Sequence, residues 1–160
     1  MNWRLLFVIF VSLTLASCST APTKNAPIQT RSTTNAEKGR KVTAQAKRLI
    51  GTKYRFGGKN PRTGLDCSGL VSYVYKRSIG LTVSGNAAAI ARQGRVISRR
   101  NLRPGDLVFF NTRNSPYSHV GIYIGGDRFV HSPSSGGRVR IESMSNRYFA
   151  QRFHGARSYF

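Results

Sequence analysis

Apolar residues in the first part of the globular region are spaced as they are on helices. A first helix is predicted from about Glu37 to Gly51, a second over residues 67–78, and a third, short and rich in alanine, over residues 86–93. Gly80 follows the second helix closely enough to end it. The positions that give the first two helices one apolar face are Val42, Ala46, Leu49, Ile50, Leu70, Val71, Val74 and Tyr75.

Beyond the turn at residues 104–105 the pattern changes to that of β-strands. A continuous apolar run, or an alternation of apolar and polar residues between turn residues, is typical of a strand. Because the helices come first and the strands follow as a meander, we expect an α+β domain whose N-terminal helices pack on a central antiparallel β-sheet. The predicted strands are residues 107–110, 119–124, 128–132, 138–141 and 153–159.

The loop between the second and third of these strands determines where two histidines point. If residues 125–127 (GGD) form a three-residue loop, Gly121 pairs with His131. His119 and His131 then become diagonal neighbours on one face of the sheet, with Cβ atoms about 7–8 Å apart or less. A two-residue loop would place the two histidines on opposite faces.

The N-terminus is typical of an export signal. Arg4 precedes an apolar stretch, residues 5–15, that is too short to span a bilayer as a helix. Residues 15–18 (LASC) resemble the lipoprotein box of bacteria. This resemblance implies that residues 1–17 are a signal peptide and that the thiol of Cys18 is lipidated. An ordinary secretory signal with a chance cysteine and an uncleaved anchor are the alternatives.

The segment after the signal has the composition of a tether. It is rich in Ser, Thr, Pro, Asn and Ala and has no apolar periodicity, so residues 18–36 are predicted to be the lipidated cysteine and a flexible tether. A single domain is predicted over residues 37–160. The chain has two cysteines, Cys18 and Cys67. With Cys18 lipidated, Cys67 is a lone thiol, which is a reactive group, an intermolecular partner or a buried, inert side chain.

The charge of the chain is strongly positive. Lys and Arg number 26 against five acidic residues, which gives a net charge of +21. Such a charge attracts a nucleic acid, a membrane surface or an acidic polymer, and it is equally compatible with a solvated basic surface. A nucleic-acid binder explains the charge but not the export signal, and the sequence contains no recognised nucleic-acid motif. We therefore expect no nucleic-acid partner.

Cys67 has the sequence context of a nucleophile. If Asp66 caps the second helix, Cys67 lies in its first turn, where free N–H groups and the positive end of the helix dipole stabilise a thiolate. The same N–H groups are candidates for an oxyanion hole, with Asp66 and Ser68 beside them.

His119 and His131 are predicted to complete this site. A cysteine nucleophile needs a base, and the base needs an orienting partner. If the two histidines share a face, His119 can act as the base and His131 can hold its ring in the working tautomer. A zinc site formed by the same three residues is the alternative, although their spacing contains no compact pair of metal ligands. The first interpretation needs no metal or cofactor, and His154 is interpreted as structural.

Four blocks of sequence extend this interpretation to a family. Together they resemble the NlpC family of papain-like bacterial cell-wall peptidases, and the resemblance extends over about residues 47–158. Four blocks in order are far more specific than any one of them. The blocks are residues 54–58 (YRFGG), 64–71 (GLDCSGLV), 104–110 (PGDLVFF) and 118–123 (SHVGIY).

The resemblance implies a papain-like fold and a Cys67–His119–His131 triad, with Tyr54 lining the site. It also implies hydrolysis of peptidoglycan through a thioester on the cysteine. The lipoprotein murein endopeptidases that look most similar cut the D-Ala to diaminopimelate cross-link, whereas other relatives cut the D-Glu to diaminopimelate bond. Residues 81–86 (LTVSGN) replace the Leu-Pro-Arg segment of many relatives, so the choice of bond stays open.

The expected setting is the cell envelope. The predicted protein is a monomer whose partners are peptidoglycan and, through the lipid on Cys18, a membrane. Ser19 after the lipidated cysteine favours the periplasmic face of the outer membrane in a Gram-negative source. A non-catalytic wall-binding lipoprotein and a thiol acyltransferase or amidase on the same scaffold are the competing interpretations.

Overall fold

A computed structural model describes residues 26–134 and 137–160 of the chain, with side chains from residue 32 onward. The predicted signal peptide, Cys18 and the first part of the predicted tether lie outside the described residues. Within these ranges, no helix is both long enough and apolar enough to cross a membrane.

The described chain forms four α-helices, one 3₁₀ turn and eight strands. The helices are α1 (Ala26–Lys47), α2 (Cys67–Ile79), α3 (Ala87–Gln93) and α4 (Arg147–Ala150), and the 3₁₀ turn is Arg99–Asn101. The strands are β1 (Lys59–Asn60), β2 (Gly64–Leu65), β3 (Arg95–Ile97), β4 (Leu107–Phe110), β5 (His119–Gly125), β6 (Arg128–His131), β7 (Arg140–Ser143) and β8 (Phe153–Ser158).

Six of the strands form one antiparallel sheet in the order β3-β8-β4-β5-β6-β7, and β1 and β2 form a separate small hairpin. The prediction of an α+β domain with helices packed on a central antiparallel sheet is confirmed. The second and third helices and the strands β4, β5, β6 and β8 lie where they were predicted. Asp66 caps α2, and Gly80 ends it in the left-handed conformation.

The sheet has a different apolar cluster on each face. On one face, side chains such as Val120, Ile122 and Val130 pack against α1, α2 and α3 in the larger cluster. On the other face, Phe110 and Phe129 pack with neighbours that include Phe149 of α4 in the smaller cluster. Alternation along β5 and β6 places His119 and His131 on the second face.

The predicted flexible tether is wrong for residues 26–36, because α1 begins at Ala26. The helix also ends at Lys47 rather than at Gly51. Residues 32–38 are mostly exposed, so this part of α1 shows no apolar periodicity. Extending a helix that is already nucleated needs one hydrogen bond per residue and no buried face. The absence of periodicity therefore did not exclude a helix here.

The register between β5 and β6 is the predicted one, but it arises in a different way. Ile122 pairs with Val130 and Tyr123 with Phe129, whereas the next pair is Gly125 with Arg128. Ile124 is therefore an extra residue in a β-bulge, and the turn contains two residues rather than three. The bulge offsets the shorter turn, so the two histidines still share a face.

Several short elements were not predicted. Strands β1, β2 and β3 contain two or three residues and α4 contains four, which is too few for a period to show. The fourth predicted strand, residues 138–141, is displaced, since β7 runs over Arg140–Ser143.

The hydroxyl of Tyr75 in α2 links the helices to the sheet, and a substitution there tests how much this link stabilises the fold. This hydroxyl is fully buried and donates to the carbonyl oxygen of Gly105 at 2.5 Å, just before β4. Tyr75→Phe leaves that carbonyl without its partner, so the free energy of unfolding should fall by about 1–2 kcal/mol. Thermal denaturation should show a lower midpoint. Tyr148→Phe is the matched control because Tyr148 is 45% exposed, and an equal loss in both variants would contradict this prediction.

Candidate active site

The N-terminus of α2 fixes the position of Cys67. Asp66 is the N-cap, and its Oδ1 accepts hydrogen bonds from the backbone N–H of Gly69 at 2.6 Å and from the hydroxyl of Ser68 at 2.9 Å. Cys67 is the first residue of the helix and is partly buried. The cap thus holds the first turn and the thiol in one position.

Two glycines allow the loop that carries Tyr54 to lie close to this helix end. A side chain on Gly69 would collide with the carbonyl oxygen of Gly58, and one on Gly58 would collide with that of Gly64. Gly58 also accepts a hydrogen bond from the backbone N–H of Asp66 at 3.0 Å. The loop is therefore fixed against the turn that contains Cys67.

Strands β5 and β6 supply a buried pair of imidazoles. Nε2 of His119 lies 2.8 Å from Nδ1 of His131, and the two rings are nearly perpendicular. His119 is 6% exposed and His131 is 1% exposed. Because Nε2 of His119 is engaged by His131, Nδ1 is the ring nitrogen that remains for Cys67.

Cys67 and His119 line one cavity of about 280 Å³. Ser132, directly after β6, also lines it, and its hydroxyl donates to the carbonyl oxygen of Leu65 at 2.7 Å. This buried bond ties the strand that carries His131 to the residues that precede Cys67. The same cavity is lined by the other predicted site residues on the helix and loop: Tyr54, Asp66 and Ser68.

His131 lies behind His119 rather than in the Cys67 cavity. It lines a second cavity of about 340 Å³, which His119 also lines. The structure therefore brings together all the predicted site residues of the domain, with His131 in contact with the Nε2 side of His119. Cys18 lies outside the described residues. His154 packs edge-on against Tyr117, with ring centroids 4.6 Å apart.

Both imidazoles are uncharged near neutral pH. Burial, reinforced by the positive charge of Arg113, lowers the pKa of His119 to about 4. Burial lowers the pKa of His131 to about 2, and the positive charges of His119 and Arg140 act in the same direction. When both rings are neutral, an N–H of one ring donates to the unprotonated nitrogen of the other. This hydrogen bond orients His119 without adding charge to the site.

The thiol does not have the low pKa expected from its place at a helix N-terminus. Burial raises the pKa of Cys67 above its ordinary value, and the negative charge of Asp66 raises it further. Hydrogen bonds from the backbone at Val120 and Ser68 and the positive charge of Arg113 oppose this effect but do not cancel it. Desolvation of the anion outweighs the helix terminus here.

Arg113 is a site residue that the sequence did not single out. It lines the Cys67 cavity, and its charge acts on Tyr54, Cys67 and His119. The hydroxyl of Ser118 accepts hydrogen bonds from the backbone N–H groups of Thr112 and Arg113, which fixes the loop before β5. One arginine among 26 basic residues gave no signal in the sequence.

Tyr54 keeps its proton in this environment. Burial raises the pKa of its phenol, and the negative charges of Cys67 and Asp66 act in the same direction. A protonated phenol at the cavity wall can donate a hydrogen bond. In the described ranges, no group of three or more His, Cys, Asp or Glu side chains could hold a metal ion.

Comparisons with known proteins identify the family. Residues 51–158 match the NlpC/P60 family. Two relatives from Escherichia coli K12 are each 42% identical to this chain: Murein DD-endopeptidase MepH over 111 residues, and Murein DD-endopeptidase MepS/Murein LD-carboxypeptidase over 107 residues. The matches cover 68% and 67% of this chain, but only 41% and 55% of those relatives.

A solved structure agrees with this assignment. The NlpC/p60 domain of the peptidoglycan hydrolase SagA superimposes with a TM-score of 0.65 at 34% identity, covering 75% of this chain and 97% of that domain. The predicted papain-like fold is thereby confirmed. The chain belongs to the NlpC/P60 family of cysteine peptidases.

Proposed function

We propose that this protein is a peptidoglycan endopeptidase that hydrolyses stem-peptide bonds through Cys67, His119 and His131. The observation that carries the proposal is the 2.8 Å contact between the two imidazoles, which leaves Nδ1 of His119 for a thiol in the same cavity. The similarity to MepH and MepS, which are named as murein endopeptidases, supports the substrate class.

The proposed reaction begins from a neutral thiol and a neutral imidazole. Sγ of Cys67 attacks the carbonyl carbon of the scissile bond as its proton passes to Nδ1 of His119. His119 then gives that proton to the leaving nitrogen, and a thioester remains on Cys67. Water then gives a proton to Nδ1 of His119 and adds to the thioester carbonyl. The C–S bond breaks, His119 returns the proton to Sγ of Cys67, and the carboxylic acid is released. His131 holds the His119 ring throughout.

Backbone N–H groups at the start of α2 are proposed to hold the oxyanion. The N–H groups of Gly69 and Leu70 donate to Asp66, so those of Cys67 and Ser68 are the ones beside the sulfur. Donors aimed at a developing negative charge lower the barrier by about 3–4 kcal/mol each in related sites. The protonated phenol of Tyr54 is a further donor at the same cavity wall.

We propose the D-Ala to diaminopimelate cross-link as the scissile bond. The DD-endopeptidase activity in the names of both E. coli relatives supports this choice. The segment 81–86 that departs from many relatives ends at the cavity, where Asn86 and Ala87 line the wall. Because this segment reaches the cavity, a cut at the D-Glu to diaminopimelate bond is the alternative. Digestion of purified peptidoglycan distinguishes the two bonds.

The proposed location is the cell envelope, with lipid on Cys18 anchoring the protein to the periplasmic face of the outer membrane. Residues 15–18 (LASC) and the following Ser19 support this location. The net charge of +21 suits anionic lipid and a substrate rich in carboxylates. Cys67 and His119 of one chain line the same cavity, which is compatible with the proposed monomer.

Digestion of purified peptidoglycan tests the proposed function. The protein expressed from Ser19 onward should convert cross-linked dimers into monomers, whereas Cys67→Ala should yield no product because the nucleophile is absent. Mass spectrometry of the soluble fragments identifies the cut. Shortened stems would instead assign the D-Glu to diaminopimelate bond. Binding to the wall without cleavage by the wild-type protein would contradict the enzymatic proposal.

Two further variants test the histidine pair in the same assay. His131→Leu removes the orienting partner, and kcat should fall by about 10²–10⁴, while His131→Asn, which retains a hydrogen-bonding side chain, should lose less. His154→Leu is the matched control and should retain full activity because His154 lies outside the cleft. An unchanged kcat in His131→Leu would rule out the orienting role.

The pH dependence of kcat/KM follows from the histidine pKa. The lowered pKa of His119, about 4, keeps its ring neutral in weak acid, so activity should stay level down to about pH 5 and fall with a midpoint near 4. Arg113→Gln removes a positive charge that lowers this pKa, so the midpoint should move to higher pH. An acid limb centred at 6.5 or above in the wild type would contradict the account.

A further inference from the structure

We propose that the second cavity is the subsite for the leaving residue, and that Arg140 there binds a carboxylate on the carbon that bears the scissile nitrogen. This inference rests on the proposed function and names which feature of the substrate the site selects. It assigns a role to charged side chains outside the triad.

The register of the sheet places Arg140 beside the triad. His131 of β6 is the direct partner of Arg140 on β7, and Phe129 is the partner of Glu142. Side chains on directly opposed antiparallel positions lie on the same face. The face that carries His119 and His131 therefore continues into Arg140 and Glu142 at the edge of the sheet.

The second cavity adjoins the cavity that contains the nucleophile. Thr112, His119 and Ser134 line both of them, so His119 stands between the two spaces. The volumes, about 340 Å³ beyond His119 and about 280 Å³ around Cys67, are each large enough for part of a peptide. A substrate bound across His119 would place its scissile bond between the cavities.

The chemistry of the reaction determines which part of the substrate lies beyond His119. The new S–C bond keeps the acyl part on Cys67, while the C–N bond breaks and the nitrogen takes the proton carried by Nδ1 of His119. The nitrogen must therefore lie within hydrogen-bond reach of His119. The acyl part lies towards Tyr54, and the leaving residue extends past His119 into the second cavity.

The charged groups of this cavity suit a leaving residue that is an α-amino acid. Arg140 presents a planar guanidinium that can bind a carboxylate through two parallel hydrogen bonds. Its Nε already donates to Oε1 of Glu142 at 2.8 Å, and the Arg140 side chain is half exposed. An ion pair this exposed is weak, so the guanidinium can turn to a substrate carboxylate at little cost.

Glu142 complements the positive charge that the leaving residue of the substrate acquires after cleavage. Bond cleavage converts the scissile amide into a free amine, which takes up a proton in water. The product in this cavity then carries an ammonium and a carboxylate on one carbon, opposite a carboxylate and a guanidinium. Tyr148 and Phe149 of α4 form an apolar wall for the rest of the residue.

The proposal predicts selectivity for a free carboxylate next to the scissile nitrogen. In the D-Ala to diaminopimelate cross-link, the leaving residue carries such a carboxylate. A substrate in which this carboxylate is converted to a primary amide is the uncharged comparison. The wild-type protein should cleave the acid with a kcat/KM about ten to a hundred times that for the amide, as expected for a charge-assisted bidentate contact. Arg140→Gln should reduce this ratio to about one, mainly through a higher KM for the acid.

Two control variants separate this role from a structural one. Glu142→Gln breaks the ion pair but leaves the guanidinium, so it should retain the preference for the acid. Arg128→Gln removes an equal charge from an exposed position on the neighbouring strand, outside both cavities, and should also retain it. Equal cleavage of acid and amide by the wild type, or an unchanged ratio in Arg140→Gln, would overturn the proposal.

A binding measurement distinguishes failure of this subsite from failure of the proposed function. The Cys67→Ala protein should bind the released amino product, detected by calorimetry, and the added Arg140→Gln change should weaken that binding about tenfold or more. Binding that depends on Arg140, without cleavage by the wild type, would support the subsite and overturn the endopeptidase function. Binding that ignores Arg140 would overturn the subsite even if cleavage occurs.

Discussion

The hydrogen bond between His119 and His131 is the interaction on which the rest of the site depends. It requires two residues that are twelve positions apart to share one face of the sheet at hydrogen-bonding distance. The bulge at Ile124 meets this requirement, because it restores the register that a two-residue turn alone would reverse. A small irregularity in the hairpin therefore decides whether the proposed base, His119, is held by His131 in the cavity that Cys67 lines.

The remaining architecture places Cys67, the proposed nucleophile, in the same cavity as His119. Asp66 caps α2 and fixes the first turn, the Gly58–Gly69 contact brings the Tyr54 loop against it, and Ser132 ties the end of β6 to Leu65. Burial lowers the pKa of the two histidines and raises that of the Cys67 thiol. The proton is therefore expected to stay on the sulfur of Cys67, with His119 neutral, because a thiolate–imidazolium pair is disfavoured in a desolvated cleft.

Local signals explain what the sequence could predict. Helix α2 has an N-cap, a regular apolar face and a terminal glycine, so its limits and the place of Cys67 were evident from neighbouring residues. The β-bulge at Ile124 was not evident from the sequence, because residues 125–127 (GGD) are compatible with either turn length. Arg113 and Arg140 resemble every other arginine in the sequence. Their proximity to the histidines depends on the Ser118 turn and on the pairing of β6 with β7.

The central claim is that His119 presents an unprotonated Nδ1 to Cys67 because its Nε2–H is donated to His131. The ¹⁵N chemical shifts of the two imidazoles, measured by NMR on the labelled protein at pH 7, test this claim most directly. Both rings are expected to be neutral and to carry their proton on Nε2. The Nε2–H of His119 then donates to the unprotonated Nδ1 of His131. An imidazolium at His119, or a proton on its Nδ1 instead of its Nε2, would contradict the account.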